Sequence, residues 1–380
     1  MKRIIPYGRQ FISKDDIKNV SKILRQDIIT SGSKVPEFEK EIQKYLKCKY
    51  STVCNSGTSA IFLSLLSIGV KKNDVIIMPA INFIAAYNVS KILGAKIYLA
   101  DVNKFNGQMS PEDVINICKK FKIKKIKALI VMYNSGYPSN SDKFYKLKKK
   151  YKCFIIEDAC HALGAEYKFK KKFFKIGSCK HADISTFSLH PLKTITSGEG
   201  GIVTTNSKIL DDKIKKFRSL GIKKSKFKHW DYDVELTGFN FRLTDFQCSL
   251  GISQLKKIKL FLNKRKQIVK KYNLSFKKLM QICTPETYKS YISSNHLYLI
   301  NLKKYDIKIK ENFIKHMMKY KIITQQHYKP LYKFKNFSGK YISKNAEIYY
   351  KSTISLPIFY QLSSKEQNYI INKVNSFFKN

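Results

Sequence analysis

A carboxylate, a histidine, a hydroxyl and a lysine recur at short intervals between residues 153 and 206. An apolar run ends on Ile155-Ile156-Glu157-Asp158 and continues Ala159-Cys160-His161-Ala162-Leu163-Gly164-Ala165. Some thirty residues on come Ser185-Thr186-Phe187-Ser188-Leu189-His190-Pro191-Leu192-Lys193, the turn Gly198-Glu199-Gly200-Gly201 and a strand-like run over 202–205. Open α/β sheets bind ligands at the carboxyl ends of their strands, which suits Asp158 to a cofactor. A carboxylate beside a pyridinium nitrogen keeps that nitrogen protonated and makes the ring of pyridoxal phosphate an electron sink. A nearby lysine holds the aldehyde of such a cofactor as a Schiff base.

Each feature has a plainer explanation when taken alone. Asp158 would then be a strand-end or N-cap carboxylate, and His161 a core or helix-start histidine. Lysine is a poor witness, because 73 basic residues include only six arginines and 67 lysines. The case for Lys193 rests on its neighbours: Ser188, able to donate to a phosphate, and the glycines of 198–201, which let backbone pass close to a ligand. A second cluster, Asn55-Ser56-Gly57-Thr58-Ser59-Ala60, joins a predicted strand to a predicted helix. Hydroxyls and free N–H groups at a helix N-terminus form an anion site. With Asp158, Ser188 and Lys193, it completes an inventory of phosphate cup, ring-nitrogen partner and Schiff-base lysine. Phe83 is a candidate to stack on the ring, although an isolated Phe is more often core.

The elements that must position these groups alternate. Residues 50–55, 74–78, 96–100, 128–132 and 153–156 read as strands, with helices predicted over 58–68 and 83–93. Short apolar strands separated by helices imply crossovers and a mostly parallel sheet covered on both faces. Beyond about residue 254 the pattern turns to Lys-rich helices and a mixed segment, with strands predicted over 295–301 and 322–328. We therefore expect a large domain over 1–255 and a smaller α+β domain over 256–380.

The formal net charge is +46 in 380 residues. A nucleic-acid footprint would concentrate on one element and favour arginine. Here the lysine runs at 119–127, 143–152, 168–175 and 256–278 are dispersed, which reads as solvated helix faces and loops. A basic nucleic-acid-binding protein remains the competing class, and neither nucleic acid nor membrane is the expected partner. The opening Met1-Lys2-Arg3-Ile4-Ile5-Pro6-Tyr7 has no apolar core of a secretory signal. The most apolar stretch, 75–89, is broken by Pro79, Asn82 and Asn88. Eight scattered cysteines without C-x-x-C spacing read as reduced thiols, with no metal site, and the cytoplasm is the expected compartment.

Three blocks carry a resemblance: 157–165, 187–201 and Gly238-Phe239-Asn240-Phe241-Arg242-Leu243-Thr244-Asp245. They resemble the signatures of the DegT/DnrJ/StrS-type sugar-nucleotide aminotransferases, from about Arg9 to the C-terminus. The resemblance implies an α/β, PLP-dependent aspartate aminotransferase fold (fold type I). It also implies Lys193 as Schiff-base lysine, Asp158 as pyridinium partner, and Ser188, Thr58 and Ser59 as phosphate contacts. His161 is implied beside the ring and Phe83 stacked on it. Asn240 is implied to reach the phosphate of a partner subunit, in a homodimer with shared active sites. Segments 293–298, 327–332 and 354–357 look most like the pseudaminic-acid branch. That branch implies transfer of the amino group of L-glutamate to the C4 ketone of a UDP-linked 2-acetamido-2,6-dideoxy-β-L-arabino-hexos-4-ulose. Another 3- or 4-keto nucleotide sugar is the alternative substrate. A PLP sugar dehydratase is disfavoured, because Lys193 stands where those enzymes carry histidine. His327 and Lys329 are candidates for the substrate rim. Cys160 and Cys248 replace the usual small Ala or Ser, and the stretch 131–136 is looser than the family form.

Overall fold

Alternation of buried side chains along short strands organises the protein around a large twisted sheet. The computed structural model describes residues 4–225, 227–285 and 289–379. Met1, Lys2 and Arg3 of the opening stretch lie outside the described residues. The largest sheet among the described residues has eight strands. Their spatial order is Tyr50–Cys54, Gly201–Thr205, Ile184–Ser188, Phe154–Asp158, Ala128–Met132, Val75–Pro79, Lys96–Ala100 and Lys340–Tyr341. Every strand pair is parallel except the two made by Gly201–Thr205, which runs against both of its neighbours.

Successive side chains on these strands enter opposite cores. Val53, Ile77, Leu129 and Ile155 join one buried cluster, while Cys54, Ile76, Ile130 and Ile156 join the other. Burial on both faces explains why the strands read as continuous apolar runs. Each fully buried side chain of this kind contributes about 1.5–3 kcal/mol.

A third cluster, including Ile268, Tyr272, Tyr298, Phe313, Ile354 and Val374, fills a smaller α+β unit. It packs helices Ile258–Phe276, Ile307–Lys319 and Ser364–Lys379 on the antiparallel strands Ile282–Cys283, Tyr298–Leu302 and Thr353–Leu356. The units exchange segments. Ile5 enters the third core, and Lys340–Tyr341 extends the main sheet beside Lys96–Ala100.

Two strand expectations are corrected. Residues 322–328 form no strand and make only isolated bridges, Ile5 to Ile322 and Gln325 to Ser355. Their β-branched Ile322-Ile323-Thr324 start resembles a strand, but the polar residues that follow face a cavity and not a second strand. The strand expected over 295–301 begins at Tyr298, because Asn295 is left-handed (φ 50°) and its N–H turns back to Ser293 Oγ. Six of the eight cysteines are buried and all are free thiols. Among the described residues no helix is long and apolar enough to cross a membrane.

Candidate active site

The strand Phe154–Asp158 sorts its two carboxylates by alternation. Glu157 turns into the core, where Tyr133 Oη donates to Oε1 at 2.8 Å and Ser185 Oγ donates to Oε2. Asp158, the last residue of the strand, instead lines a cavity of about 540 Å³ at the carboxyl end of the sheet. The Cys160 N–H donates to its Oδ1 at 3.3 Å. Burial raises its carboxyl above the usual value, while hydrogen bonding from Cys160 and the charge of Lys193 pull the other way.

Lys193 enters the same cavity from the loop that joins Ile184–Ser188 to Gly201–Thr205. That loop is tied to itself: Leu189 N–H donates to Gly200 O, Ser197 N–H to Leu189 O, and Lys193 N–H to His190 O. Among the described residues the Lys193 ammonium makes no ion pair, whereas Lys34, Lys148, Lys215 and Lys257 all do. Burial lowers its pKa, opposed by Cys160 and Asp158. Desolvation of a lysine amine lowers its basicity and so makes it more available as a nucleophile.

The anion cup follows from helix Gly57–Ser67. Ser56 caps it, its Oγ accepting the Ser59 N–H at 3.0 Å. Gly57 lies directly against Ser188, and a Cβ there would stand 2.8 Å from Ser188 Cβ. The cavity therefore receives Ser56, Gly57, Thr58 and Ser188 on one side. Ser59 does not line it; its hydroxyl donates to Asn55 Oδ1 at 2.6 Å and stiffens the turn.

Aromatic rings form the opposite wall. His161 stacks on Tyr328 (centroids 5.8 Å apart, planes 28° apart) and lies 4.3 Å from the His296 ring. The His161 ring is locked at both nitrogens: Ser135 N–H donates to Nδ1 at 3.3 Å, and Nε2 sits 2.9 Å from Tyr328 Oη. Burial first, then the charge of Lys193, keeps the His161 imidazole well below its ordinary pKa. His327 is pushed down to about 3 by the same two causes and sits 2.8 Å from Ser355 Oγ through Nδ1. The Ser135 amide owes its aim to a left-handed backbone (φ 62°) followed by Gly136 (φ 87°). A Cβ on Gly136 would lie 1.9 Å from Ser294 Oγ and 2.6 Å from His161 O, so glycine is required.

Asp158, His161, Ser188, Lys193, Thr58, Phe83 and His327 thus converge on one cavity. Lys329 does not: it is exposed, with its ammonium 5.1 Å from the Phe334 ring centroid. Asn240 is also exposed and outside the cavity of its own chain. Sequence reasoning missed Tyr328, His296, Ser135 and Gln326. Tyr328 and His296 fall inside the segments 327–332 and 293–298 that carried the resemblance, which was the available signal.

A mostly parallel sheet, a lysine facing a strand-end carboxylate, and a hydroxyl-rich helix N-terminus define an α/β aminotransferase-type enzyme. The model of the DegT/DnrJ/EryC1/StrS aminotransferase family matches residues 10–375, and the chain belongs to that family. It is 37% identical over 376 residues to the UDP-4-amino-4,6-dideoxy-N-acetyl-beta-L-altrosamine transaminase of Campylobacter jejuni subsp. jejuni serotype O:23/36 (strain 81-176), covering 97% of this chain and 96% of the relative. The Helicobacter pylori protein of the same name is 31% identical over 381 residues, with 98% and 97% covered. Among solved structures, Helicobacter pylori PseC, an aminotransferase involved in the biosynthesis of pseudoaminic acid, superposes with a TM-score of 0.90 at 30% identity. It covers 99% of this chain and 100% of its own. The PLP form of the putative sugar aminotransferase Spr1654 of Streptococcus pneumoniae superposes with a TM-score of 0.88 at 25% identity, 99% of each chain being covered.

Proposed function

We propose that this enzyme binds pyridoxal phosphate and transfers the amino group of L-glutamate to the C4 ketone of UDP-2-acetamido-2,6-dideoxy-β-L-arabino-hexos-4-ulose. The observation that carries the proposal is the buried Lys193 ammonium, without an ion pair among the described residues, which shares one cavity with buried Asp158 and the cup at Ser56–Thr58. The residues present fit the cofactor. Asp158 is a buried carboxylate short of partners, suited to a ring N–H, and Gly57 leaves open the space beside Ser188 that a side chain would fill. When bound, pyridoxal phosphate supplies an aldehyde for amines and a ring that accepts electrons from the adjoining carbon.

In this proposal Lys193 holds the cofactor through Nζ and, once released by the donor amine, moves a proton at the donor Cα and at the sugar C4. Its depressed basicity suits both directions of that transfer. Asp158 keeps the ring nitrogen protonated. Ser188, Thr58 and the N–H groups of helix Gly57–Ser67 hold the phosphate, and Ser59 supports them from within the turn. His161, neutral and buried, packs beside the ring, with Phe83 against it and His327 at the substrate side. The ketone preference follows the named relatives at 31–37% identity. Residues 1–255 would form the cofactor domain and 256–380 the smaller one. A homodimer is also proposed, with Asn240 reaching the partner's phosphate. It is supported by the hairpin of Ile222–Lys224 and Tyr232–Val234, which presents Phe227, Trp230 and Tyr232 to solvent.

The test is incubation of the holoenzyme with L-glutamate and a panel of keto nucleotide sugars, with the products solved by NMR. We expect the UDP-linked L-arabino ketone to yield a C4 amine. Reaction only with another ketone would replace the substrate; reaction with none would overturn the proposal.

A further inference from the structure

Tyr328 stands between two residues considered for the substrate rim, yet its surroundings give its hydroxyl a definite polarity. The Ser135 backbone N–H donates to His161 Nδ1 at 3.3 Å. A nitrogen that accepts a hydrogen bond carries no proton, and an imidazole carries at least one. The proton of His161 therefore sits on Nε2, which faces Tyr328 Oη at 2.9 Å. In this tautomer His161 donates and Tyr328 accepts, which leaves the phenolic O–H itself to be donated elsewhere. Among the described residues no second partner meets the Tyr328 hydroxyl, and Tyr328 lines the cavity shared with Lys193 and Asp158.

Accepting one hydrogen bond polarises a hydroxyl and strengthens the bond it donates. The chain of two hydrogen bonds from Ser135 through His161 to Tyr328 thus ends in a strong, uncharged donor directed into the site. A carbonyl oxygen matches that donor, because it gains electron density when a nitrogen adds to its carbon. A carboxylate would call instead for a cation, and Lys193 is the one cation among the described residues lining the cavity. We propose that Tyr328 donates a hydrogen bond to the ketone oxygen of the acceptor sugar, and that Ser135 and His161 fix the direction of that bond. Burial, which holds the Tyr328 phenol well above its ordinary pKa, agrees with a neutral donor.

This inference rests on the transaminase proposal and separates the two half-reactions. The experiment is stopped-flow absorbance of the bound cofactor in wild type and Tyr328→Phe. L-Glutamate is mixed first, and the UDP-linked L-arabino ketone is mixed with the aminated enzyme second. Loss of one preorganised donor to a developing oxyanion costs about 100-fold or more. We expect the ketone step to slow by about that factor, with the glutamate step within about 2-fold of wild type. Equal slowing of both steps, or slowing of the glutamate step alone, overturns the role of Tyr328. Wild type whose absorbance ignores glutamate overturns the transaminase proposal beneath it. A second readout needs no variant: the ¹H–¹⁵N correlation pattern of His161 in the holoenzyme should show the Nε2–H tautomer, and the Nδ1–H pattern would overturn the inference.

Discussion

Replacing Gly57 by alanine tests the phosphate cup with one methyl group. The added Cβ would lie 2.8 Å from Ser188 Cβ and 3.3 Å from both Ser188 Cα and Oγ. Carbon atoms in good contact stand about 3.5–4.0 Å apart, so the helix start and the strand end must separate by roughly 0.7 Å or more. Overpacking of this size costs about 1–3 kcal/mol. The better helix propensity of alanine offsets up to about 1 kcal/mol. A phosphate held from both sides would forbid the separation that relieves the overlap, so most of the cost should fall on cofactor binding. At about 1.4 kcal/mol per tenfold change, pyridoxal phosphate should bind about 10- to 100-fold more weakly to Gly57→Ala. The assay is titration of the cofactor-stripped enzyme by absorbance, beside a melting curve of the same protein. Ser188→Gly removes the atom that is struck, so the double variant should bind no worse than Ser188→Gly alone. Additive losses, or unchanged affinity in Gly57→Ala, would refute the reasoning.

Other perturbations address the remaining parts. Asp158→Asn keeps the shape but removes the charge proposed to pair with the cofactor ring nitrogen; loss of one partner from a buried pair costs about 3–5 kcal/mol, so the glutamate half-reaction should slow by about 10²–10⁴-fold. A rate within threefold of wild type would remove Asp158 from its proposed role. Away from the site, Lys310 is buried beneath the carbonyl of Tyr350, which accepts from its ammonium at 2.5 Å, and burial pushes its pKa down to about 7. A folded pKa below the unfolded value means that the unfolded chain binds the extra proton between those values. Stability should therefore rise with pH from about 7 toward 10.5, by on the order of 5 kcal/mol from this group. Lys310→Met should flatten that rise and melt higher at pH 7; an unchanged slope in denaturation curves would contradict the assignment.

How much of this was legible in the sequence depended on whether a role is carried by residue type or by backbone geometry. Asp158, Ser188 and Lys193 were readable because a strand-end carboxylate and a lysine among glycines form a local pattern with chemical meaning. The strands 50–54, 75–79 and 128–132 were readable because burial on both faces leaves continuous apolar runs. Ser135 was not, since its contribution is an N–H aimed by a left-handed φ of 62°, and the same stretch looked merely loose. Tyr328 was hidden by a strand-like Ile-Ile-Thr start whose continuation serves as a cavity wall. Lys329, a rim candidate through its place in segment 327–332, is exposed and is not among the residues that line the cavity.

The abundance of lysine makes one measurement the most direct. The holoenzyme, loaded with a single equivalent of pyridoxal phosphate per chain, is reduced with borohydride, digested and mapped by mass spectrometry. Of 67 lysines, the account predicts that Lys193 alone carries the cofactor, and that prior addition of L-glutamate abolishes the label. A label spread over surface lysines, or fixed on another lysine and indifferent to glutamate, would contradict it.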